Sequence, residues 1–250
     1  MKAMILAAGL GTRLRPLTND RPKALVEVGG RTLLEITLLR LREFGVREVI
    51  VNVHHFADMV VEYLKHRGNF GMRIEISREE ELLDTGGGLK KAGWFFLESD
   101  SQSDKDQPFL LHNVDVISTI DLARMVRFHQ EHQALATMAV QQRETSRYLL
   151  FDEQMRLCGR LGSGESRVPI HASRPQTKAL AFSGLHVISP RIFREITEDG
   201  AFSIISSYSR LAAAGEKIVG FGADEYYWRD LGKPESVARA EQELAGKSVR

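Results

Sequence analysis

Residues 3–18 read Ala3-Met4-Ile5-Leu6-Ala7-Ala8-Gly9-Leu10-Gly11-Thr12-Arg13-Leu14-Arg15-Pro16-Leu17-Thr18, and Arg21-Pro22-Lys23-Ala24-Leu25 follows shortly after. The apolar run Ala3 to Ala8 has the length and composition of a parallel strand buried on both faces. Gly9 and Gly11 come next and allow a tight turn with the backbone close to a ligand. Backbone N–H groups at such a turn, with the fixed charges of Arg13, Arg15 and Lys23, suit a polyphosphate. The same glycines would also serve a plain strand-to-helix turn. Two other phosphate signatures are excluded. The dinucleotide fingerprint G-x-G-x-x-G fails at Leu14, and the Walker loop G-x-x-x-x-G-K-[ST] occurs nowhere in the chain.

Outward from this stretch, strand and helix patterns alternate. Thr32-Leu33-Leu34-Glu35 has the form of a capping box opening a helix, with Leu34, Leu38 and Leu41 as its apolar stripe and Gly45 as its stop. The pattern then predicts a strand over 48–53, a helix over 57–66 and a strand over 72–77. Such alternation argues for a parallel sheet with right-handed crossovers, whose ligands bind beyond the carboxyl ends of the strands. Thr85-Gly86-Gly87-Gly88 precedes a predicted helix through Trp94. These glycines either expose N–H groups to a flat ligand or form a plain loop with Thr85 as N-cap. Residues 98–107, dense in Ser, Asp and Gln, predict an exposed loop.

An apolar strand over 109–112 leads to Asn113-Val114-Asp115. A carboxylate there is either a turn residue or a ligand for a hard cation such as Mg2+. A helix over 121–132 and a strand over 135–140 follow, with Met125 and Phe128 expected in the core. Short strands with turns at Asp152-Glu153 and Gly162-Ser163-Gly164 predict a small antiparallel section over about 145–190. A strand over 181–188 is interrupted by Gly184, as where a backbone presses against a ligand. A helix over 203–214, a strand over 217–222 and a last helix opened by Pro234 complete the pattern.

The chain has 250 residues, 43% hydrophobic and 27% charged, with a formal net charge of +1. That is an ordinary globular composition, with no bulk charge calling for nucleic acid. The single cysteine, Cys158, allows no intrachain disulfide and fits a reducing compartment, the cytoplasm. The apolar run at the amino end is too short for a signal peptide, and no run approaches a membrane span. His54-His55 lacks the partners of a zinc site, His112 fits a hydrogen-bonded core histidine, and Cys158 has no base nearby in sequence.

Leu-Ala-Ala-Gly-x-Gly-Thr-Arg-Leu-Arg-Pro-Leu-Thr, followed by Pro22-Lys23, resembles the signature of the sugar-1-phosphate nucleotidyltransferases. Three further elements carry the likeness. They are Leu83-Asp84-Thr85-Gly86-Gly87-Gly88, Phe182-Ser183-Gly184-Leu185, and Trp228-Arg229-Asp230-Leu231-Gly232-Lys233-Pro234. The third has Lys233 where the family usually has threonine, and Val114 departs from the family's Asn-Gly-Asp.

The resemblance implies one nucleotidyltransferase domain over 1–250, a three-layer α/β/α Rossmann-like, glycosyltransferase-A-like fold with a mostly parallel mixed sheet. The antiparallel section would form much of its sugar pocket. It implies transfer of a nucleoside monophosphate from an NTP to a sugar 1-phosphate with release of pyrophosphate. Ala8, Gly9, Gly11, Thr12, Arg13 and Lys23 would hold the triphosphate, and Glu81, Gly86 and Gly87 the base and ribose. Asn113 and Gly184 would face the sugar. Arg13, Lys23 and Asp115 would be catalytic, with Asp115 and Asp230 holding Mg2+. Relatives carry Glu-Lys-Pro for the sugar phosphate; here Ser173-Arg174-Pro175 and Lys178 stand nearby, leaving that cation unassigned.

The Thr-Gly-Gly-Gly form looks like the N-acetylmuramate-1-phosphate uridylyltransferase branch and so implies a step of cell-wall recycling. GTP with mannose or heptose 1-phosphate, a phosphocholine cytidylyltransferase, or a non-catalytic nucleotide-binding regulator are the alternatives. The expected partners are thus an NTP and a sugar 1-phosphate, with no nucleic acid and no membrane; oligomeric state is unknown.

Overall fold

The structure is a computed structural model describing residues 1–98, 106–161, 168–169 and 177–245. Most of the predicted 98–107 loop, the turn at Gly162-Ser163-Gly164, and Ser173-Arg174-Pro175 lie outside the described residues. In chain order the elements begin with β1 (Lys2–Leu6), β2 (Glu27–Val28), β3 (Arg31–Thr32), α1 (Leu33–Glu43), β4 (Glu48–Val53), α2 (Ala57–His66) and β5 (Arg73–Arg78). Next come α3 (Asp84–Lys91), α4 (Gly93–Leu97), β6 (Phe109–Asn113), β7 (Val116–Ser118), α5 (Leu122–Glu131), β8 (Ala136–Gln141) and β9 (Tyr148–Phe151). The chain continues with β10 (Leu157–Leu161), β11 (Val168–Pro169), β12 (Lys178–Ile188), α6 (Ile192–Glu195) and α7 (Ile204–Ala213). It ends with β13 (Ile218–Gly222), β14 (Trp228–Asp230) and α8 (Pro234–Ala245). The fold is α/β, a mixed central sheet with flanking helices.

The described residues form two compact units. The first holds Met1–Leu82, His112–Thr119 and the residues from Tyr227 on; the second holds Leu83–Leu111 and Ile120–Tyr226. In the first, β1, β4 and β5 pair in parallel, with Ala3 beside Val49 and Val49 beside Ile74. Met4, Ile5, Val49, Ile50 and Val51 are fully buried, which explains the unbroken apolar runs. The α1 helix buries Leu34, Leu38 and Leu41, and Thr32 Oγ1 accepts from Glu35 N at 3.1 Å. Only half of the expected capping box forms. The Glu35 carboxylate turns instead to Tyr63 Oη at 2.7 Å and Arg67 at 3.3 Å. Strand β7 pairs antiparallel with β14, setting Asp230 beside Val116.

In the second unit, fully buried β8 lies between antiparallel β12 and parallel β13, and β9, β10 and β11 extend the antiparallel part. The Phe96, Phe109 and Phe193 rings stack, with Phe96 and Phe109 centroids 3.9 Å apart. Met125 is buried as expected, but Phe128 is not core. It is half-buried, stacked on His132 at 3.9 Å, because the α5 register turns it toward the rim of the helix.

Two histidines are buried neutral. Burial and the neighbouring Arg40 guanidinium push His112 from 6.5 down to about 3. Burial alone pushes His129, whose Nδ1 meets Thr137 Oγ1 at 2.9 Å, down to about 4. The unfolded chain takes up these protons below about pH 6.5 and the folded chain does not. Stability is therefore complete above that pH and falls as pH drops toward 4, by about 1.4 kcal/mol per pH unit for each histidine. Thermal melts from pH 7 to pH 4.5 should show this slope, and His129→Gln should roughly halve it, leaving the share of His112. An unchanged slope in that variant would assign the acid sensitivity elsewhere.

Candidate active site

The first unit gathers most of the expected site residues at the carboxyl ends of β1 and β6. After β1, Ala7 N donates to Asn52 O at 3.0 Å, and the chain leaves the sheet with Ala8 buried and Gly9 exposed. Gly11 takes the left-handed conformation, φ 65°, that starts a short 3-10 turn over Thr12–Leu14. Thr18 Oγ1 donates to Gly11 O at 2.8 Å and Leu14 is fully buried, so the turn is fastened while Thr12 and Arg13 face outward. A Cβ on Gly11 would lie 3.0 Å from Thr18 Cγ2 and 3.3 Å from Lys23 Cβ. Gly11→Ala thus combines backbone strain with crowding of Lys23, and should lower kcat/KM by about 10- to 100-fold without unfolding the protein. Steady-state kinetics beside a circular dichroism spectrum checks this; a loss under threefold would mean that the loop absorbs the methyl group.

Lys23 opens a second 3-10 turn, Lys23–Leu25, held by buried Ala24 and Leu25. Its ammonium meets Asp115 Oδ2 at 2.6 Å, with side-chain exposures of 16% and 8%. Asp115 sits in the turn between β6 and β7. Val114 N donates to Leu6 O at 3.2 Å, tying that turn to the end of β1, and Leu231 N donates to Asp115 O at 2.8 Å. Asp230, exposed at the end of β14, accepts from Gly232 N through Oδ1 at 2.6 Å. Arg229 Nη2 and Tyr227 Oη hold Glu243 at 2.5 and 2.8 Å, fixing β14 to α8. Arg40, its pKa drawn down to about 10 by burial, donates to Ser118 Oγ at 2.7 Å on the next strand.

Sequence reasoning missed Gly232. A Cβ there would lie 2.7 Å from Asp230 Oδ1 and 3.1 Å from Arg13 Nη2, so the glycine lets a guanidinium and a carboxylate approach one spot. Its signal was its place two residues after Asp230. Also missed was Glu79. Glu81, the expected base contact, is exposed, whereas Glu79 is buried, accepts from Asn52 Nδ2 at 2.5 Å, and gives its carbonyl to His54 Nδ1 at 2.9 Å. Asn113 is half-buried at the end of β6, its carbonyl 2.7 Å from His112 Nδ1. Lys178 and Lys233 are exposed. Cys158 is buried, which raises its pKa, and its Sγ lies 3.3 Å from Leu150 O.

The glycines of the second unit have structural duties of their own. Gly86, Gly87 and Gly88 lie inside α3 rather than before it, and Thr85 does not cap it: Thr85 Oγ1 accepts from Ile204 N at 3.0 Å. Gly86 N donates to Phe202 O at 2.8 Å, so that N–H is turned inward. A Cβ on Gly86 would strike the Phe202 ring, and one on Gly87 the carbonyl of Gly200. Gly184, φ 76°, sits where the β12–β8 register shifts between Phe182 and His186. A bulge of that kind calls for glycine whether or not a ligand is near.

As a donor set for a cation, Asp115 and Asp230 offer hard carboxylate oxygens on two backbones joined by the Leu231–Asp115 hydrogen bond. Among the described residues no group of three or more His, Cys, Asp or Glu converges. Two carboxylates would fit Mg2+, which keeps waters and phosphate oxygens as its remaining ligands. Among the described residues, no helix is long and apolar enough to cross a membrane.

A family model described as "Nucleotidyl transferase" matches residues 2–247. The N-acetylmuramate alpha-1-phosphate uridylyltransferase of Caulobacter vibrioides is 36% identical over 262 residues, covering 97% of this chain and 96% of that protein. The mannose-1-phosphate guanyltransferase of Yarrowia lipolytica is 30% identical over 94% of this chain, which spans only 61% of that protein. Among solved structures, HddC from Yersinia pseudotuberculosis complexed with GMP-PN superposes with TM-score 0.74 at 21% identity, covering 97% of this chain and 99% of that one. A putative glucose-1-phosphate thymidylyltransferase from Bacillus anthracis gives TM-score 0.79 at 17% identity, over 97% and 94% of the two chains. At these identities the structures speak for the fold.

Proposed function

The chain belongs to the nucleotidyl transferase family and is a sugar-1-phosphate nucleotidyltransferase, and within that class we propose that it moves uridylate from UTP to N-acetylmuramate 1-phosphate. The reaction class is supported by the Lys23–Asp115 pair beside the glycine loop. The choice of substrates is supported by 36% identity to a uridylyltransferase whose length this chain spans almost completely. We read residues 1–250 as one nucleotidyltransferase domain working in the cytoplasm, in recycling of cell-wall sugars.

An oxygen of the sugar phosphate attacks the α-phosphorus of the NTP in line. The new O–P bond forms as the bond to the β-phosphate oxygen breaks, and pyrophosphate leaves with that electron pair. The nucleophile is already ionised at neutral pH and needs no general base, so the protein's task is positioning and charge stabilisation. Ala8, Gly9, Gly11, Thr12 and Arg13 hold the triphosphate, and Lys23 neutralises charge at the α-phosphate. Asp115 and Asp230 would hold Mg2+, which when bound supplies further neutralisation across the reacting phosphates. Glu81, Gly86 and Gly87 line the base and ribose, and Asn113 and Gly184 the sugar. The Gly86 N–H is given to Phe202 O, so it does not serve the base as a donor.

The test is pyrophosphate release with Mg2+, across the four NTPs and a panel of N-acetylmuramate, mannose, glucose and heptose 1-phosphates and phosphocholine. Release with UTP and N-acetylmuramate 1-phosphate is the expected result. Release only with GTP and mannose 1-phosphate would favour the second reading, which the guanylyltransferase relatives support. No release from any pair would sink both.

A further inference from the structure

We propose that Lys23 occupies Asp115 in place of a divalent cation until a nucleoside triphosphate arrives, so that the protein alone binds the cation weakly and nucleotide opens its site. The inference rests on the reading of Asp115 as a metal ligand. Its basis is the 2.6 Å contact between Lys23 Nζ and Asp115 Oδ2, both side chains largely withdrawn from water. A buried carboxylate left without a cation is costly, so Asp115 needs a positive partner in every state. An ammonium is a compact point charge, and a second cation on the same carboxylate would be repelled at short range.

Charge counting points the same way. Lys23 and Arg13 balance Asp115 and Asp230, so a bare divalent cation would leave an uncompensated positive excess. Phosphate oxygens remove that excess and also offer the ammonium another partner. The root of Lys23 is held in place: Pro22 and Ala24 on either side are buried, and Val26 N donates to Lys23 O at 3.1 Å. Only the outer stem can turn, from Asp115 toward the loop of Gly9 to Arg13. Cation and nucleotide affinities are then linked, and each must strengthen the other by the same factor.

The probe is Mn2+, followed by the loss of its free electron paramagnetic resonance signal, with and without α,β-methylene UTP. Wild type should bind Mn2+ weakly alone and at least tenfold more tightly with the analogue. Lys23→Met should bind it at least tenfold more tightly than wild type without any nucleotide, and Mn2+ should raise its Tm at concentrations that leave wild type unmoved. Lys23→Arg, which keeps the charge, should stay weak. Should Lys23→Met fail to fold, Lys23→Gln carries the same expectation. Lys23→Met no tighter than wild type, with the analogue still promoting binding, would overturn the competition and leave the metal reading standing. No Mn2+ binding by any variant, even with the analogue, would overturn both. Neither result touches whether pyrophosphate is released, which tests the reaction separately.

Discussion

Asp115→Asn should abolish turnover, lowering kcat by about 1000-fold or more, while the protein stays folded. The substitution keeps the side chain's shape and removes only its charge. The turn that carries it is held by backbone bonds, Val114 N to Leu6 O and Leu231 N to Asp115 O, which the change does not touch. Its amide oxygen can still accept from Lys23, so no buried ammonium is stranded. Loss of rate with an unaltered circular dichroism spectrum would therefore report the missing charge. A variant that still releases pyrophosphate in a Mg2+-dependent way would remove Asp115 from the metal site.

Lys23→Ala should cost about 100- to 1000-fold in kcat, the effect of deleting one preorganised charge aimed at the transition state. The loss should fall on kcat more than on KM, because the charge at the α-phosphorus matters most as the bond to pyrophosphate breaks. The variant also leaves Asp115 buried without its cation, so its Tm should fall in metal-free buffer and recover with Mn2+. A loss in kcat below tenfold would assign the neutralising role to Arg13, whose guanidinium lies beside Gly232 and Asp230.

The parts of this protein that announce themselves in sequence are those whose chemistry is local. The buried run before Gly9, the positive φ of Gly11, the cap at Thr32 and Pro234 at the first position of the last helix each follow from neighbours within a few residues. The family likeness adds Lys23, Asp115 and Asp230 as residues of interest. It does not say that Lys23 and Asp115 touch.

Packing adds a structural reason at three places. Gly86 and Gly87 look like a ligand loop, and packing by itself also requires them small, because Phe202 and Gly200 press against α3. Gly184 looks like a close approach to a ligand, and it marks a register shift between two strands. Glu81, the expected base contact, faces water, while its neighbour Glu79 is buried on Asn52.

By itself, then, the sequence determined the approximate places of the longer strands and helices, that the amino-terminal strand is buried, and which polar side chains stand at strand ends. Those properties depend on backbone preference and the spacing of apolar residues, both of which act over a few positions. Only the tertiary structure decided that an ammonium at position 23 closes on a carboxylate at position 115, and that Gly232 makes room for Arg13. The physical reason is that such contacts form between segments far apart in the chain. Their geometry is set by how β1, β6 and β14 are fastened together, through Leu6, Val114, Asp115 and Leu231.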